Sequence, residues 1–178
     1  ERVFAELEAK KPAFHGRFIG LRGNCIALAR QERYIDRDLN RLWSEEAIAA
    51  AKSKSQEDRN SEEKELLSLL RLIDAAVDKP YEPKIFVDLP TTPAPGGLFS
   101  IVTDQAENRE LAEALHAPIV FNLVDELALT TNKFFENRNL LGIAFESGQH
   151  DDEASVDNAE GAIWLLLEKA GCIDRKDF

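Results

Sequence analysis

The chain has 178 residues, enough for one domain with its own core, and its hydrophobic fraction of 44% and charged fraction of 31% are typical of a soluble globular protein. Acidic residues outnumber basic ones 33 to 22, so the net charge of −11 argues against nucleic acid and membrane surfaces as partners. The two cysteines, Cys25 and Cys172, lie outside any paired-thiol motif, which predicts reduced thiols and a cytoplasmic location.

The first third of the chain predicts a strand, a helix and an exposed connection. Arg17–Leu21 has the composition of a short strand that leads into a glycine-containing turn. Cys25–Gln31 is helix-like, and Lys52–Asn60 is polar enough to predict an exposed loop.

The rest of the chain predicts helices that alternate with apolar strands. The predicted strands are Lys84–Leu89, Leu98–Val102, Pro118–Leu123 and Leu140–Phe145. The predicted helices are one that begins at Asn60 and Glu63 and stops at Pro80, one at Glu107–His116, and a last one that Ser155 caps and Gly171 closes. This alternation indicates an α/β fold with a largely parallel sheet, in a single domain of residues 1–178.

The segment that runs from Arg33 to Trp43 offers a group of side chains suited to binding an anion. It carries Arg33, Asn40 and Arg41 among few apolar residues. A guanidinium can form two hydrogen bonds with one carboxylate, and a neighbouring amide can add another. The segment therefore predicts a site for a small carboxylate-bearing substrate. The alternative interpretation is an exposed surface segment of alternating charge.

Glu146 is the second candidate, because it stands at the carboxyl end of a predicted apolar strand. Ligands of open α/β sheets bind outside the carboxyl ends of the strands. A carboxylate in that position is partly desolvated, which raises its pKa toward the range of a general base. Asp88 ends the strand before the loop Pro90–Gly97 in a similar way. Acidic residues also end strands merely to meet solvent, and both interpretations stay open here.

Three motifs together resemble those of the succinylglutamate desuccinylase and aspartoacylase family, which is related to the zinc carboxypeptidases. They are Tyr-Ile-Asp-Arg-Asp-Leu-Asn-Arg within Arg33–Arg41, Asp-Leu-x-Thr-Thr within Val87–Gly97, and Phe-Glu-Ser-Gly-Gln-His within Gly142–His150. The resemblance implies a three-layer α/β sandwich of the zinc-carboxypeptidase type, with a mixed, largely parallel sheet. It also implies that the chain is an incomplete catalytic-type domain that lacks the amino-terminal part.

The resemblance implies a zinc-dependent hydrolase that cleaves the amide bond of an N-acyl amino acid with a metal-activated water. Glu146 matches the family's general base. Arg33 matches the arginine that stabilises charge on the carbonyl oxygen. Asn40 and Arg41 match the pair that binds the substrate carboxylate. His150, which follows the glutamate motif, could reach the same site or face solvent.

The family's zinc ligands are not found at the matching positions. Pro90 stands where the family has a histidine, and proline cannot coordinate a metal. His15-Gly16 begins like the family's His-Gly-x-Glu motif, but Phe18 stands where the glutamate would fall, so we reject His15 as a ligand. We expect those two ligands upstream of Glu1.

These departures leave the chain without an assigned metal ligand, although zinc is expected for the family. We therefore predict weak or absent hydrolysis by this chain alone. The alternative function is a metal-free, inactive binding domain for a small carboxylate ligand. A third interpretation is a scaffold domain in which the same residues are surface and fold features.

Overall fold

A computed structural model describes residues 1–80, 82–94, 96–123 and 131–177. The helices are α1 (Arg2–Lys10), α2 (Cys25–Arg30), α3 (Glu45–Ser53), α4 (Ser61–Val77), α5 (Ala106–Glu113), α6 (Thr131–Glu136) and α7 (Glu153–Lys169). The strands are β1 (Ile85–Asp88), β2 (Phe99–Val102), β3 (Ile119–Phe121) and β4 (Leu141–Glu146). Short 3₁₀ turns occur at Leu39–Arg41 and Arg175–Asp177.

The four strands form one mixed sheet in the order β1-β4-β2-β3. β1 runs parallel to β4 and β2 runs parallel to β3, whereas β2 and β4 are antiparallel. The predicted α/β fold with a mixed sheet is confirmed. Because β1 and β4 are parallel neighbours, with Asp88 paired to Ala144, their carboxyl ends lie side by side. Asp88 and Glu146 are thereby placed at the same edge of the sheet.

Helices cover both faces of this sheet, which gives the three layers that the family resemblance implied. Successive residues of a strand point to opposite faces. Phe86 packs into a hydrophobic cluster that α3, α4 and α6 supply. Its neighbours Ile85 and Val87 pack into a second cluster, with residues of α5 and α7. The apolar character of β1 on both faces follows from this double coverage.

Helix α4 begins as its sequence predicts. Asn60 Oδ1 accepts a hydrogen bond from the N–H of Glu63 at 2.9 Å, and Glu63 Oε2 accepts one from the N–H of Asn60 at 3.1 Å. This capping box satisfies amide groups that the helix itself leaves without partners. The apolar face of α4, with Leu66 and Ile73, is buried in the first cluster.

The prediction of a strand at Arg17–Leu21 is wrong. The segment forms no strand and lies across α1, where the ring of Phe18 stacks on that of Phe4 with centroids 4.6 Å apart. Ile19 and Leu21 remain 39% and 40% exposed. A strand needs a neighbouring strand for its backbone hydrogen bonds. The apolar composition of this segment could not show whether such a neighbour is present.

The predicted start of the last helix is also wrong, by a few residues. Asp152, rather than Ser155, caps α7, and its Oδ1 accepts a hydrogen bond from the N–H of Ala154 at 3.0 Å. Ser155 lies inside the helix, where its hydroxyl donates to the carbonyl oxygen of Asp152 at 2.6 Å. Both residue types favour helix starts, so composition did not separate them.

One further helix boundary differs from the prediction, and two helices were not predicted. α5 ends at Glu113, and His116 follows it in a left-handed conformation with a φ of 53°. Helix α3, which Ser44 caps, was not predicted. Because α3 runs to Ser53, the exposed loop predicted at Lys52–Asn60 begins only after that residue. Helix α6 was not predicted either.

Pro95 of the predicted loop Pro90–Gly97 lies outside the described residues. Within the described ranges, no helix combines the length and the apolar character needed to cross a membrane.

Candidate active site

The segments that follow β1 and β4 are joined side by side. The N–H of Thr92 donates to the carbonyl oxygen of Gly148, and the N–H of His150 donates to that of Thr92, both at 2.9 Å. The carbonyl oxygen of Pro90 accepts from both the N–H and the hydroxyl of Ser147, each at 3.1 Å. We call these two segments, Pro90–Pro93 and Ser147–His150, the strand-end wall. It continues the parallel pairing beyond the ends of the strands.

A side-chain contact adds to this wall. Thr91 Oγ1 and His150 Nδ1 lie 2.6 Å apart and share a hydrogen bond. His150 itself is exposed, so the contact fixes its ring while leaving it open to solvent. Of the two positions considered for His150, the structure shows the solvent-facing one, and a contact with a ligand stays a prediction.

Glu146 is half-buried at the end of β4, next to this wall. Its Oε2 atom is buried and makes no hydrogen bond with any described residue. Burial raises the pKa of Glu146, and the negative charge of Asp88 raises it further, while His150 and Arg33 act in the opposite direction. The structure thus brings Arg33 and Glu146, which are distant in the sequence, into one electrostatic environment.

Asp88 shares this environment from the end of β1. Burial raises the pKa of Asp88, and a hydrogen bond from the N–H of Leu89 partly opposes that effect. Two carboxyl groups that interact and are both desolvated resist ionising together. The pKa of each carboxyl group is therefore raised, and loss of the proton from Asp88 makes loss of the proton from Glu146 harder.

Arg33 is held in place by Asp38. Its Nε and Nη2 atoms donate to Oδ2 of Asp38 at 3.2 and 3.0 Å. The other carboxylate oxygen, Oδ1, accepts from the N–H of Asn40 at 3.0 Å. Asp38 therefore ties the arginine to the turn that carries Asn40 and Arg41. Sequence reasoning did not assign this role to Asp38, although it lies within the quoted motif.

Asn40 and Arg41 make contacts within their own region. Oδ1 of Asn40 accepts from the N–H of Thr131 at 3.1 Å and from its hydroxyl at 2.8 Å, which fastens the start of α6. This leaves the Nδ2 group of Asn40 as its donor for a carboxylate. Arg41 is exposed, and its Nη1 donates to the carbonyl oxygen of Asn40 at 3.1 Å. No described contact joins Asn40 or Arg41 to Glu146, so their role as a substrate-binding pair stays a prediction.

The described residues do not fit a zinc ion. Among them, no group of three or more His, Cys, Asp or Glu side chains is arranged to hold a metal. Pro90 occupies the position where a histidine ligand was expected, and its carbonyl oxygen bonds Ser147. The N–H of His15 donates to the carbonyl oxygen of Cys172 at 2.8 Å, beyond the end of α7.

Glu146 thus lies partly desolvated at the carboxyl ends of the parallel strands β1 and β4, the edge at which open α/β sheets bind ligands. Comparison with protein-family models identifies the family of the chain. Residues 1–159 match the succinylglutamate desuccinylase/aspartoacylase catalytic domain. The chain belongs to this family, as its three motifs predicted. Comparison with the curated proteins gave no match.

Solved structures with the same fold support this assignment. The chain is similar to the succinylglutamate desuccinylase of Chromobacterium violaceum, with 16% identity and a TM-score of 0.72 over 98% of this chain and 55% of that one. It is also similar to murine aminoacylase 3, with 21% identity and a TM-score of 0.62 over 96% and 60% of the two chains. The chain thus spans between half and two thirds of the length of these structures.

Proposed function

We propose that this chain is part of a hydrolase that cleaves the amide bond of an N-acyl amino acid. The observation that carries the proposal is the half-buried carboxylate of Glu146, whose Oε2 makes no hydrogen bond with the described residues and whose raised pKa the charge of Arg33 partly opposes. Membership in the desuccinylase and aspartoacylase family supports the same reaction class. A cytoplasmic location is part of the proposal, and it is supported by the two free cysteines, Cys25 and Cys172.

Glu146 takes the role of general base. A carboxylate whose pKa lies above the usual range accepts a proton from water more readily at neutral pH, and the acid so formed passes the proton to the leaving amine. Since Oε2 makes no hydrogen bond with the described residues, it is the atom that we assign to this proton transfer.

Arg33 stabilises the negative charge that develops on the scissile carbonyl oxygen. Its guanidinium is pre-oriented by Asp38 and acts on the same electrostatic environment as Glu146. Removal of one such donor from an enzyme typically costs about 2.7–4 kcal/mol of transition-state stabilisation. Asn40 and Arg41 bind the substrate carboxylate, a role that suits an amide beside a guanidinium.

Zinc dependence is the expectation that comes with the family. When bound, zinc would polarise the carbonyl and activate water. The described residues supply no group of ligands for it, so we assign steps only to the side chains named above.

A direct test incubates the intact protein with N-succinyl-L-glutamate and other N-acyl amino acids and measures release of the free amine. Glu146→Gln is expected to lower turnover by about 10²–10⁴-fold, because it removes the general base, while the dissociation constant of the substrate changes little. Glu153→Gln, which alters an exposed glutamate at the start of α7, serves as the matched control.

The outcomes of this test separate the candidate functions. Substrate binding without amine release by the unaltered protein would favour the metal-free binding domain. The absence of both binding and release would overturn the proposal and leave the scaffold interpretation.

A further inference from the structure

We propose that Glu62 is a positioning residue for substrate binding: its buried carboxylate holds the middle of the Arg33–Arg41 segment in the shape that presents Arg33 and Arg41 to the substrate. The inference rests on the function proposed above. We call this segment the arginine loop. Glu62 lies in the first turn of α4, and its exposed fraction is 0%.

Each oxygen of Glu62 accepts two hydrogen bonds. Oε1 accepts from the N–H of Ile35 at 2.7 Å and from Nδ2 of Asn24 at 3.1 Å. Oε2 accepts from the N–H groups of Asp36 and Arg37 at 3.0 and 3.3 Å. Three consecutive backbone amides of the arginine loop thus converge on one carboxylate.

The arginine loop depends on this carboxylate because its own backbone offers no substitute there. Residues 35–37 belong to neither a helix nor a strand. Backbone N–H groups need an acceptor, and three consecutive N–H groups of the loop share the carboxylate of one side chain of α4. A reciprocal bond strengthens the junction, because Oδ2 of Asp36 accepts from the N–H of Ser61 at 3.0 Å.

Helix α4 does not require Glu62 for its own start. Asn60 and Glu63 form the capping box that satisfies the first turn. Glutamates near a helix start commonly remain in solvent, where they interact with the helix dipole. The complete burial of Glu62 and its four donors therefore indicate a role in the arginine loop rather than in the helix.

The bonding pattern requires an ionised carboxylate. Burial alone would raise the pKa of Glu62, but the hydrogen bonds from Ile35, Asp36 and the other donors outweigh it and lower the pKa. A glutamine at this position keeps one acceptor oxygen and places an NH₂ donor against backbone N–H donors. Glu62→Gln therefore conserves shape while breaking about half of the contacts.

The three amides occupy the middle of the arginine loop, and the proposed ligand-binding side chains occupy its two ends. Arg33 precedes the amides, and Asn40 and Arg41 follow them. Asp38 joins the two ends, through Arg33 on one side and the N–H of Asn40 on the other. Movement of residues 35–37 would displace both ends of the proposed binding group together.

The test compares Glu62→Gln with Glu63→Gln in the intact protein. The probe is N-succinyl-L-glutamate, followed by calorimetry for its dissociation constant and by steady-state kinetics for kcat and KM. Displacement of the two arginines would weaken their hydrogen bonds to the substrate carboxylate, so Glu62→Gln is expected to raise the dissociation constant and KM by about 10- to 100-fold, the usual contribution of one hydrogen bond to a charged group. Glu63→Gln makes the same charge change on the adjacent residue, retains a capping-box residue type and is expected to leave both constants unchanged.

A role in positioning has a signature that a general loss of stability lacks. In an Arg33→Ala/Arg41→Ala background, Glu62→Gln should add little further loss, because the side chains that it positions are already gone. Asp36→Ala, at an exposed position that loses the bond to Ser61, should shift KM in the same direction by a smaller factor. That variant keeps the inference testable if Glu62→Gln fails to fold.

Equal probe binding by Glu62→Gln and the unaltered protein would overturn this inference and leave the proposed function in place. Losses that simply add in the double-arginine background would overturn it as well. If the unaltered protein does not bind the probe, the proposed function and this inference both fail.

Discussion

Asp88 and Glu146 are carboxyl groups whose charges interact at the ends of neighbouring strands. Each also carries the effect of burial, which favours the protonated form. The apolar strand before Glu146 was enough to predict the effect of burial on that residue. The interaction between the two charges could not be predicted locally, because it follows from the parallel pairing of β1 with β4, which brings the two strand ends together.

Replacing Asp88 with Asn is expected to lower the pKa of Glu146, because the substitution removes a negative charge that opposes ionisation. The pKa should remain above that of an ordinary glutamate, since burial is the larger cause and is unchanged. Glu146 acts as a base only when ionised, so the acid limb of the activity profile should move to lower pH. A ¹³C NMR titration of glutamate carboxyl groups measures the shift without requiring turnover.

Asp104→Asn is the control for this titration, because it neutralises an exposed carboxylate that pairs with Arg109. It should leave the pKa of Glu146 unchanged. An unaltered Glu146 titration in Asp88→Asn would contradict the electrostatic coupling between the two strand ends.

Arg41→Ala is expected to weaken binding of an N-acyl amino acid by about 1.5–3 kcal/mol, the usual contribution of a hydrogen bond to a charged group. Arg37 provides the matched control, because it is an exposed arginine of the same loop. Isothermal titration calorimetry measures both variants. Equal losses in Arg37→Ala would mean that the arginine loop attracts anions only through its overall charge.

At the scale of elements, helix α4 shows how far local sequence can specify structure. Its capping box depends on residues three positions apart, so Asn60 and Glu63 were enough to predict the helix start. Asn60→Ala is expected to lower the free energy of unfolding by about 1 kcal/mol, because it removes the acceptor for the N–H of Glu63. Urea denaturation measures the change.

Asn60→Asp is the control for α4, because aspartate accepts the same hydrogen bond. It should retain most of the stability that the alanine variant loses. A loss as large as that of Asn60→Ala would show that the side-chain oxygen is not the stabilising feature.

Other elements depended on partners that a local pattern does not reveal. Apolar runs were enough to predict β1, β2 and β4. These strands are apolar because helices cover them. The same reasoning failed at Arg17–Leu21, which packs on α1 instead of joining the sheet. In the site, the motifs predicted roles for Arg33 and Glu146. The charge of Arg33 acts on Glu146, and the two roles stay predictions. The motifs did not predict Glu62, because a glutamate in a polar helix start resembles an ordinary solvent-exposed residue.

At the scale of the whole molecule, the hydrophobic cluster of α3, α4 and α6 secures the sheet. Phe135 is 0% exposed, and its ring lies 4.5 Å from that of Phe86 and 5.5 Å from that of Trp43. Phe135→Ala is expected to lower the free energy of unfolding by about 3–5 kcal/mol, through lost burial and the cavity it leaves. Leu28→Ala, at a residue that is 60% exposed, should change it much less.

Chemical denaturation of both variants tests the proposed core. If Phe135→Ala is no less stable than Leu28→Ala, the first cluster does not hold the sheet together.

The place of Pro90 in the whole site leads to a prediction about metal binding. A histidine there would add a ligand close to Asp88 and Glu146 and would keep the carbonyl oxygen that accepts from Ser147. Pro90→His in the intact protein is therefore expected to raise affinity for Zn²⁺, as measured by titration with a competing chelator. Pro93→His, in the same loop, is the matched control. An equal rise in both variants would indicate nonspecific binding by an added imidazole.

The strand-end wall also bears on the thermodynamics of recognition. Because Pro90–Pro93 and Ser147–His150 are already hydrogen-bonded to each other, this side of the proposed site is held in place before a ligand arrives. A preorganised surface loses little conformational entropy on association. Affinity on this side then depends on how well a ligand matches a fixed shape, and under the proposed function that fit would select among acyl groups.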